Sequence, residues 1–345
     1  MKNLAEFWAG GKGAGGTAVV ETVQNSHAGV PTVTYSRRYH TSGAVIARFM
    51  ELRGHRVVEG CGALWHATEG GFLMSFPYNV TLNPDCEGLD RMTRSVNATG
   101  VRFPSANWPG LPGGIYLYSR RSFDLADVHT TFRRRVRRGL EQLHVRLVDP
   151  AELLAQGLQL NLDTLARQGR SDREFADPAR WRRLVEALRR CEGVQAIGAF
   201  WRDRLSAYII YCREGRGLHI LHQMSRTADL TKNPNHTLTF EFTKRAVDDP
   251  EIDFTSYGLL SLVNTPGLHQ YKLDFGYEVH PFNVAFRIHP GLAPFLNARP
   301  VRQLIKCVRA LRPRDQRLER LDTVLQGAAL SKERFPSQPS EETVH

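Results

Sequence analysis

The segment "PGLHQYKLDFGYEV", residues 266–279, carries the clearest local signals in the chain. Thr265 can cap a helix N-terminus, and Pro266 suits the first helical position, where a missing N–H costs nothing. Gly276 is placed to end the helix in a left-handed conformation. These residues predict a short helix that leads into an apolar strand.

The predicted helix presents one lysine beside an apolar stripe. Leu268, Tyr271 and Phe275 fall at i, i+3 and i+7, which predicts that they share the face toward the core. Lys272 falls off that stripe, one turn after His269. The sequence leaves two interpretations of Lys272 open: a cation fixed to bind an anion, or a solvated surface residue.

The whole chain is basic. Its 345 residues include 46 Lys and Arg against 35 Asp and Glu, a formal net charge of +11. This length favours two domains. The charge favours anionic partners such as nucleic acid, anionic lipid or phosphate-bearing small molecules, although an arginine-rich composition often reflects genome composition.

Nothing in the sequence predicts export or a membrane span. The first residues lack the apolar stretch of a signal peptide, and the longest apolar runs, such as "AVIARFM" at 44–50, are too short to cross a bilayer. The five cysteines have no paired spacing, which indicates free thiols in a reducing compartment. We therefore expect a cytoplasmic protein.

The second half of the chain predicts a mixed sheet. "FRRRVRRGLEQLHVRLVD", 132–149, reads as an amphipathic helix followed by a strand, with Val136 and Leu140 on the apolar face. Three strand-like runs, a helix at 235–247, a strand at 252–257 and the lysine helix follow. This order predicts an α/β fold, with an α+β mixed sheet flanked by helices.

Several catalytic signatures are absent from the sequence. It contains no Gly-x-Ser-x-Gly elbow, no His-Glu-x-x-His and no Cys-x-x-Cys pair. His219 and His222 are three residues apart on a predicted strand, so we expect them on opposite faces and not at one metal. No metal site is predicted.

The remaining candidates lie between residues 215 and 280. Asp253 and Tyr257 share a face of one predicted strand, and His222 lies on another. Asn235 and His236 begin a helix whose free N–H groups form an anion site. Each also has a structural interpretation: a turn partner for Asp253, a core histidine for His222 and a simple N-cap for Asn235.

The order of these segments resembles the FemAB-like branch of the GNAT acyltransferase superfamily. The resemblance covers about residues 130–285 and rests on a hairpin at 194–217, "HQMSRTADLTKNPNHTL" at 222–238, and "EIDFTSYGLLSLVNTPGLHQYKLDFGYEV" at 251–279. The last segment matches a family pattern of an Asp-bearing strand followed by Gly-Leu-x-x-Phe-Lys-x-x-Phe-Gly. The Arg/Gln-x-x-Gly-x-Gly/Ala loop with which ordinary GNAT enzymes hold coenzyme A is missing.

The resemblance implies tandem GNAT-like folds and an N-acyltransferase, in cell-envelope or polysaccharide and small-molecule metabolism. The donor would be an acyl-CoA such as acetyl-CoA, or an aminoacyl-tRNA, and the acceptor an amine. The alternative is a GNAT-fold protein without catalysis that binds an anionic ligand or nucleic acid.

The resemblance also implies roles for particular residues. Lys272 would lie near the reaction centre and steady phosphate or developing negative charge, with Asp253 or His222 as the base. The residues expected to bind donor or substrate are Arg226, Asn235, His236, Thr237, Tyr257 and His269.

Two basic segments extend the list of expected partners. The arginines of the 132–142 helix could contact tRNA phosphates, namely Arg133, Arg134, Arg137 and Arg138. A basic amphipathic helix predicted at 299–326 either packs on the body or rests peripherally on anionic lipid. The expected domains are a divergent GNAT-like domain at 1–130, an acyltransferase domain at 131–298, this helix, and a disordered tail at 327–345.

Overall fold

The computed structural model describes residues 43–262, 266–311 and 316–332. The predicted cap Thr265 and the residues after 332 lie outside these ranges. Within them the chain forms one mixed sheet with helices on both faces, so the predicted fold class is confirmed.

The first half of the chain is mainly strands. Helix α2 begins where the Asp85 side chain accepts a hydrogen bond from Gly88 N, a standard N-cap. The elements are α1 (Ala44–Leu52), β1 (Val57–Gly60), β2 (Ala63–Ala67), β3 (Phe72–Phe76), α2 (Cys86–Ser95), β4 (Gly100–Ser105) and β5 (Leu111–Tyr118).

The second half alternates helices and strands as its sequence predicts. Its helices are α3 (Thr130–Gln142), α4 (Pro150–Arg167), α5 (Arg173–Ala176), α6 (Pro178–Arg190), α7 (Pro234–Asp248), α8 (Pro266–Asp274), α9 (Ala293–Asn297), α10 (Arg299–Leu311) and α11 (Gln316–Lys332). Its strands are β6 (His144–Leu147), β7 (Val194–Trp201), β8 (Arg204–Glu214), β9 (Gly217–Ser225), β10 (Phe254–Leu259) and β11 (Glu278–Ile288).

All eleven strands of the described ranges belong to one sheet. Their order is β1-β2-β3-β4-β11-β5-β10-β9-β8-β7-β6. Strand β11, from the end of the second half, lies between β4 and β5 of the first half and pairs antiparallel with both. The two halves therefore share their central strands.

The sheet is strongly curved. Strands β3 and β9 are separated by four other strands, which in a flat sheet would place them about 24 Å apart. Yet the rings of Phe76 on β3 and His219 on β9 lie 5.3 Å apart, centroid to centroid. Helix α1 closes this concave face, and Glu214 of β8 accepts hydrogen bonds from Val45 N and Ile46 N at its start.

The described C-terminal region is helical. Where a single helix is expected at 299–326, the structure describes α10 and α11, and residues 312–315 lie outside the described residues. The tail expected to be disordered from residue 327 is helical to Lys332, because Ala328 packs against Leu325 and Phe286 on the concave face of β11.

The apolar faces of two helices also differ from prediction. On α8 Leu268 is 50% exposed, whereas Lys272 is 6% exposed and faces the sheet with Phe275. On α3 Leu140 is exposed and Gly139 is buried instead, because Gly139 packs directly against Thr237 of α7. In both helices a residue that is not hydrophobic is buried, Lys272 in α8 and Gly139 in α3, and hydrophobic periodicity does not predict this.

Candidate active site

The sheet opens between β9 and β10. These parallel strands pair over only three positions, the last being Ser256 with His219. Beyond that point β9 continues to Ser225 and β10 to Leu259 without pairing to each other. The convex face of this split, under α7 and α8, carries most of the predicted site residues.

Lys272 of α8 lies over this convex face. Its Nζ is 4.1 Å from the ring centroid of Tyr116 and 5.1 Å from that of Tyr257. Among the described residues no side chain or carbonyl makes a hydrogen bond or an ion pair with its ammonium. Burial lowers the pKa of Lys272 to about 8. The two tyrosine rings stabilise the ammonium through cation–π attraction.

Hydroxyl and amide groups form a connected network beside the lysine. Tyr257 donates a hydrogen bond to Gln223 Oε1 and lies 3.2 Å from Thr239 Oγ1. The Tyr271 hydroxyl lies 3.0 Å from Thr239 Oγ1 and donates to the carbonyl of Asn235. The network therefore joins α7, α8, β9 and β10 around the split.

Two more of the predicted site residues make polar contacts in this region, Asn235 within the network and His269 with Tyr116. The Asn235 amide donates to Ser225 Oγ at 3.1 Å, and its oxygen accepts a bond from Gln223 at 3.3 Å. His269 Nδ1 lies 2.7 Å from the Tyr116 hydroxyl. Asn235, Tyr257 and His269 are thus brought together near Lys272.

His236 lies at the margin of this group in an aromatic setting. Its ring contacts the rings of Phe132, Tyr271 and Phe275. Burial and the charge of Arg135 lower the pKa of His236 to about 4, so its imidazole is neutral at pH 7. His236 therefore contributes an apolar ring surface and a neutral ring nitrogen, and not a positive charge.

Asp253 lies away from Lys272. It precedes β10 and pairs with Arg216 at 2.7 Å and Arg121 at 3.3 Å. Its hydrogen bonds with Arg216 hold the pKa of its carboxyl below the ordinary value, which makes it a weak base. Tyr257, which contacts Lys272, is four residues further along the strand, or about 13 Å.

His222 lies on the concave face, opposite Lys272. Ile210 pairs with His222 but Tyr211 pairs with Ile220, so Leu221 is the extra residue of a β-bulge. The bulge turns His222 toward Phe175, 4.3 Å away between centroids. Burial lowers the pKa of His222 well below its ordinary value. The expectation that His219 and His222 lie on opposite faces is therefore wrong.

Two other predicted binding residues have structural partners. Thr237 is fully buried, and its Oγ1 donates to the carbonyl of Asn233 at 3.1 Å. Arg226 Nε donates to the carbonyl of Leu205 at 3.4 Å and lies 3.9 Å from Asp229. Neither contacts the network around Lys272.

Sequence reasoning missed Gln223, Thr239 and Tyr116. Gln223 reaches the convex face only because of the bulge at Leu221, for which the sequence carries no clear signal. Thr239 lies one helical turn after Asn235, and that spacing could have indicated it. Tyr116 comes from the first half, which the sequence did not connect to this site.

The start of α7 is an uncapped helix end. Its N-cap residue Asn233 has a left-handed backbone, φ 59°, and makes no side-chain capping bond. Pro234 occupies the first helical position. This leaves the N–H groups of the first turn without a side-chain cap, as the predicted anion site requires.

The arginines of α3 divide into two groups. Arg133 donates to the carbonyls of Val128 and Ala126 at 2.8 and 2.7 Å, so it holds the preceding loop instead of facing a partner. Arg134, Arg137 and Arg138 are exposed, and no described residue forms an ion pair with them. These three remain available for an anionic partner.

The described ranges contain neither a metal-binding cluster nor a helix able to span a membrane, and their 290 Å³ cavity lies away from the predicted site. No group of three or more His, Cys, Asp or Glu side chains there could hold a metal ion. No described helix combines the length and apolar character needed to cross a membrane. A cavity of about 290 Å³ between α2, β11 and α11 includes Asp90, Phe286 and Ser331 in its lining and none of the predicted site residues.

Comparison with known proteins bears on the fold. No protein-family model matches the chain, and no curated protein matches its sequence. Among solved structures it is similar to FemX, with a TM-score of 0.51 at 12% identity over 75% of this chain and 96% of that one. It is equally similar to the C-terminal DUF2156 domain of a putative lysylphosphatidylglycerol synthetase from Agrobacterium fabrum. That match has a TM-score of 0.51 at 12% identity and covers 72% of this chain and 88% of that one. The chain therefore has the fold of these proteins, as the FemAB-like resemblance predicts.

Proposed function

We propose that the chain is an acyltransferase that moves an acyl or aminoacyl group from a thioester or a charged tRNA to an amine. The observation that carries this proposal is Lys272, a buried ammonium without an anionic partner among the described residues, beside the split between β9 and β10. A structural lysine is expected to have a carboxylate or a carbonyl instead. The shared fold with FemX and the DUF2156 domain supports the class of reaction.

The reaction needs little from the protein. The acceptor nitrogen attacks the carbonyl carbon, a C–N bond forms, and the C–S or C–O bond to the donor breaks. The amine loses a proton, and the departing thiolate or alkoxide takes one up. Negative charge develops on the carbonyl oxygen, where a pre-desolvated ammonium stabilises it more than a hydrated one does.

We assign Lys272 the role of this ammonium. It would stabilise either the negative charge on the carbonyl oxygen or a phosphate of the donor or the acceptor. Tyr257 and Asn235 would position the ligand, since they lie in the same polar network. His269 would do so from its contact with Tyr116, whose ring faces the Lys272 ammonium. Asp253 and His222 are left out because neither lies beside Lys272. The start of α7, which has no side-chain cap, would supply a second anion contact.

Aminoacyl-tRNA is the donor that we favour. One of the two similar structures is a domain of a putative lysylphosphatidylglycerol synthetase, a name that refers to an aminoacylated product. The exposed Arg134, Arg137 and Arg138 fit a nucleic-acid backbone. The chain also lacks the coenzyme A loop of ordinary GNAT enzymes.

A thermal-shift screen tests the proposal. The protein is melted with acetyl-CoA, longer acyl-CoAs, acyl carrier protein and bulk aminoacyl-tRNA, as wild type, Lys272→Met and Lys244→Met. A donor at a hundredfold excess over its Kd stabilises the folded state by about 2.7 kcal/mol. We expect a shift with aminoacyl-tRNA that Lys272→Met loses and that the surface control Lys244→Met keeps.

Two other results would count against parts of this proposal. Absence of a shift with every donor would contradict an acyltransferase. A donor that binds but gives no acyl product with any amine would instead favour a protein that binds an anionic ligand without catalysis.

A further inference from the structure

Polar side chains gather on the concave face of the sheet, opposite Lys272. They come from the loop after α1, from β2, from the segment after β3, from β4 and from β9, and are Arg53, His66, Tyr78, Arg102 and His219. Apolar side chains surround them, including Phe76, whose ring contacts both Tyr78 and His219. The function proposed above uses none of them.

Arg102 is the cation that lacks a partner in this group. Its Nη2 donates to Met74 Sδ at 2.7 Å, a weak acceptor. Within the ranges that the structure describes, no carboxylate lies within ion-pair distance of its guanidinium. The side chain is half-buried, and desolvation lowers the pKa of Arg102 from its ordinary value.

The neighbouring groups do not compensate this charge. His66 Nε2 lies 3.3 Å from the Tyr78 hydroxyl. Burial, with smaller contributions from the charges of His55, Arg53 and Arg102, lowers the pKa of His66 to about 4, so it is neutral. Burial raises the pKa of Tyr78 to about 12, so it is also neutral.

The carboxylate beside Arg53 is already paired. Glu174 pairs with Arg53 at 3.1 Å and with Arg180 at 2.9 Å, and lies 3.6 Å from His55. Glu174 is thus shared by two guanidinium groups. Arg102 has no such partner among the described residues.

Two polar atoms of these five side chains have no hydrogen-bond partner among the described residues. They are His219 Nδ1 and Arg53 Nε. His219 is 2% exposed, and buried polar atoms are normally satisfied. An uncompensated guanidinium together with two unsatisfied atoms indicates a missing ligand.

We propose that this concave face binds a singly charged anionic group, a carboxylate or a phosphodiester, with Arg102 as its main contact. The guanidinium fork matches both groups through two parallel N–H···O bonds. Tyr78 and His219 supply further polar atoms around the anion. The site goes beyond the proposed acyl transfer, since it lies on the other face of the sheet and does not involve Lys272.

Arginine modification in the full-length protein tests the site. Phenylglyoxal reacts with accessible guanidinium groups, and peptide mass spectrometry reports the extent at each arginine. We expect acetate or diethyl phosphate to slow modification of Arg102 at least fivefold, relative to sodium chloride of equal ionic strength. The exposed Arg91 serves as the internal control and should react at an unchanged rate.

Variants separate a ligand site from a structural role. Arg102→Met should lose the anion-dependent rise in Tm, and its Tm without anion should equal or exceed that of wild type. Arg102→Lys keeps the charge without the fork and should bind the anion at least tenfold more weakly than wild type. Lys272→Met should keep wild-type anion binding, which distinguishes this site from the proposed active site.

The proposal is overturned if neither anion protects Arg102 or raises the Tm of wild type beyond the chloride control. It is also overturned if Arg102→Met binds both anions as wild type does. Stronger binding of acetate or of diethyl phosphate identifies which of the two groups the site accepts.

Discussion

Lys272 makes folding less favourable at neutral pH. Its pKa is about 8 in the folded chain against an ordinary value of 10.5, because burial removes water from the ammonium. At 1.36 kcal/mol for each pKa unit, the charged form costs about 3 kcal/mol of folding free energy. Such a cost at one position is typical of a residue kept for binding or catalysis.

The pH dependence of stability follows from this shift. Below pH 8 the cost is fully present, and it disappears as pH rises through 8 toward 10.5, because the unfolded state then binds more protons than the folded state. We expect Lys272→Met to be more stable than wild type at pH 7 by up to about 3 kcal/mol. The gain is reduced by the cation–π attraction to the two tyrosine rings, which the substitution removes. The difference should shrink steadily between pH 8 and 10.

Urea unfolding of both proteins at pH 7, 8, 9 and 10 measures this difference. A stability gap that does not change with pH would show that Lys272 is not desolvated in the folded protein.

For Lys272 the sequence pattern predicts the position of the residue but not its environment. The link of the lysine to an anion rests on the family resemblance and stays a proposal, but its position on a short helix followed from the sequence. Its burial did not, because hydrophobic periodicity assigns lysine to solvent, whereas here the rings of Tyr116 and Tyr257 form a surface that accepts an ammonium. Tyr116 comes from a distant strand that no local pattern connects to α8.

Among the elements, the contact between α3 and α7 depends on one glycine. A Cβ at Gly139 would overlap Thr237 Oγ1, which is fully buried and bonded to the α7 backbone. We expect Gly139→Ala to destabilise the protein by about 1–3 kcal/mol through overpacking. Thermal unfolding checks this prediction.

Gly267 provides the matched control for Gly139. It lies in the first turn of α8, and a Cβ there would meet no atom within 4 Å. Gly267→Ala should leave stability unchanged or raise it by up to about 1 kcal/mol. Equal effects of the two substitutions would contradict the close packing of α3 on α7.

The exposed arginines of α3 give a second prediction about an element. If they contact a phosphate backbone, Arg134→Gln, Arg137→Gln and Arg138→Gln together should weaken tRNA binding and reduce its dependence on salt. The matched control replaces three exposed arginines of α6 with glutamine, Arg182, Arg183 and Arg190. Fluorescence anisotropy between 50 and 200 mM salt measures both, and equal losses would indicate nonspecific attraction to the net charge.

The elements of the second half were predictable because their periodicity is strong. The strands β7 to β10 and the helices α7 and α8 appear in the predicted order. The bulge in β9 was not predictable, since one extra residue changes the face of every side chain after it. That single feature explains why His222 was assigned to the wrong face and why Gln223 was missed.

At the scale of the whole molecule, the boundary expected near residue 130 cuts through the sheet. Strand β5 pairs with both β10 and β11, and β4 pairs with β11. A fragment of residues 131–298 would keep β10 and β11 but lose those partners. We expect it to lack a cooperative thermal transition, whereas the full chain shows one.

Circular dichroism melts of the fragment and the full chain test this expectation. A fragment that unfolds cooperatively, with a Tm near that of the full chain, would mean that the second half folds independently. The sequence suggested such a division because strand partners far apart in the chain leave no local signal.

The position of β11 also bears on how the protein is made. On the ribosome β4 and β5 emerge early, but the strand that fills the space between them emerges only after residues 119–277. At roughly 5–20 residues per second, the nascent first half waits on the order of ten seconds with two open strand edges. Such edges are where chains pair wrongly with one another. The first half therefore cannot close its part of the sheet until β11 has been synthesised.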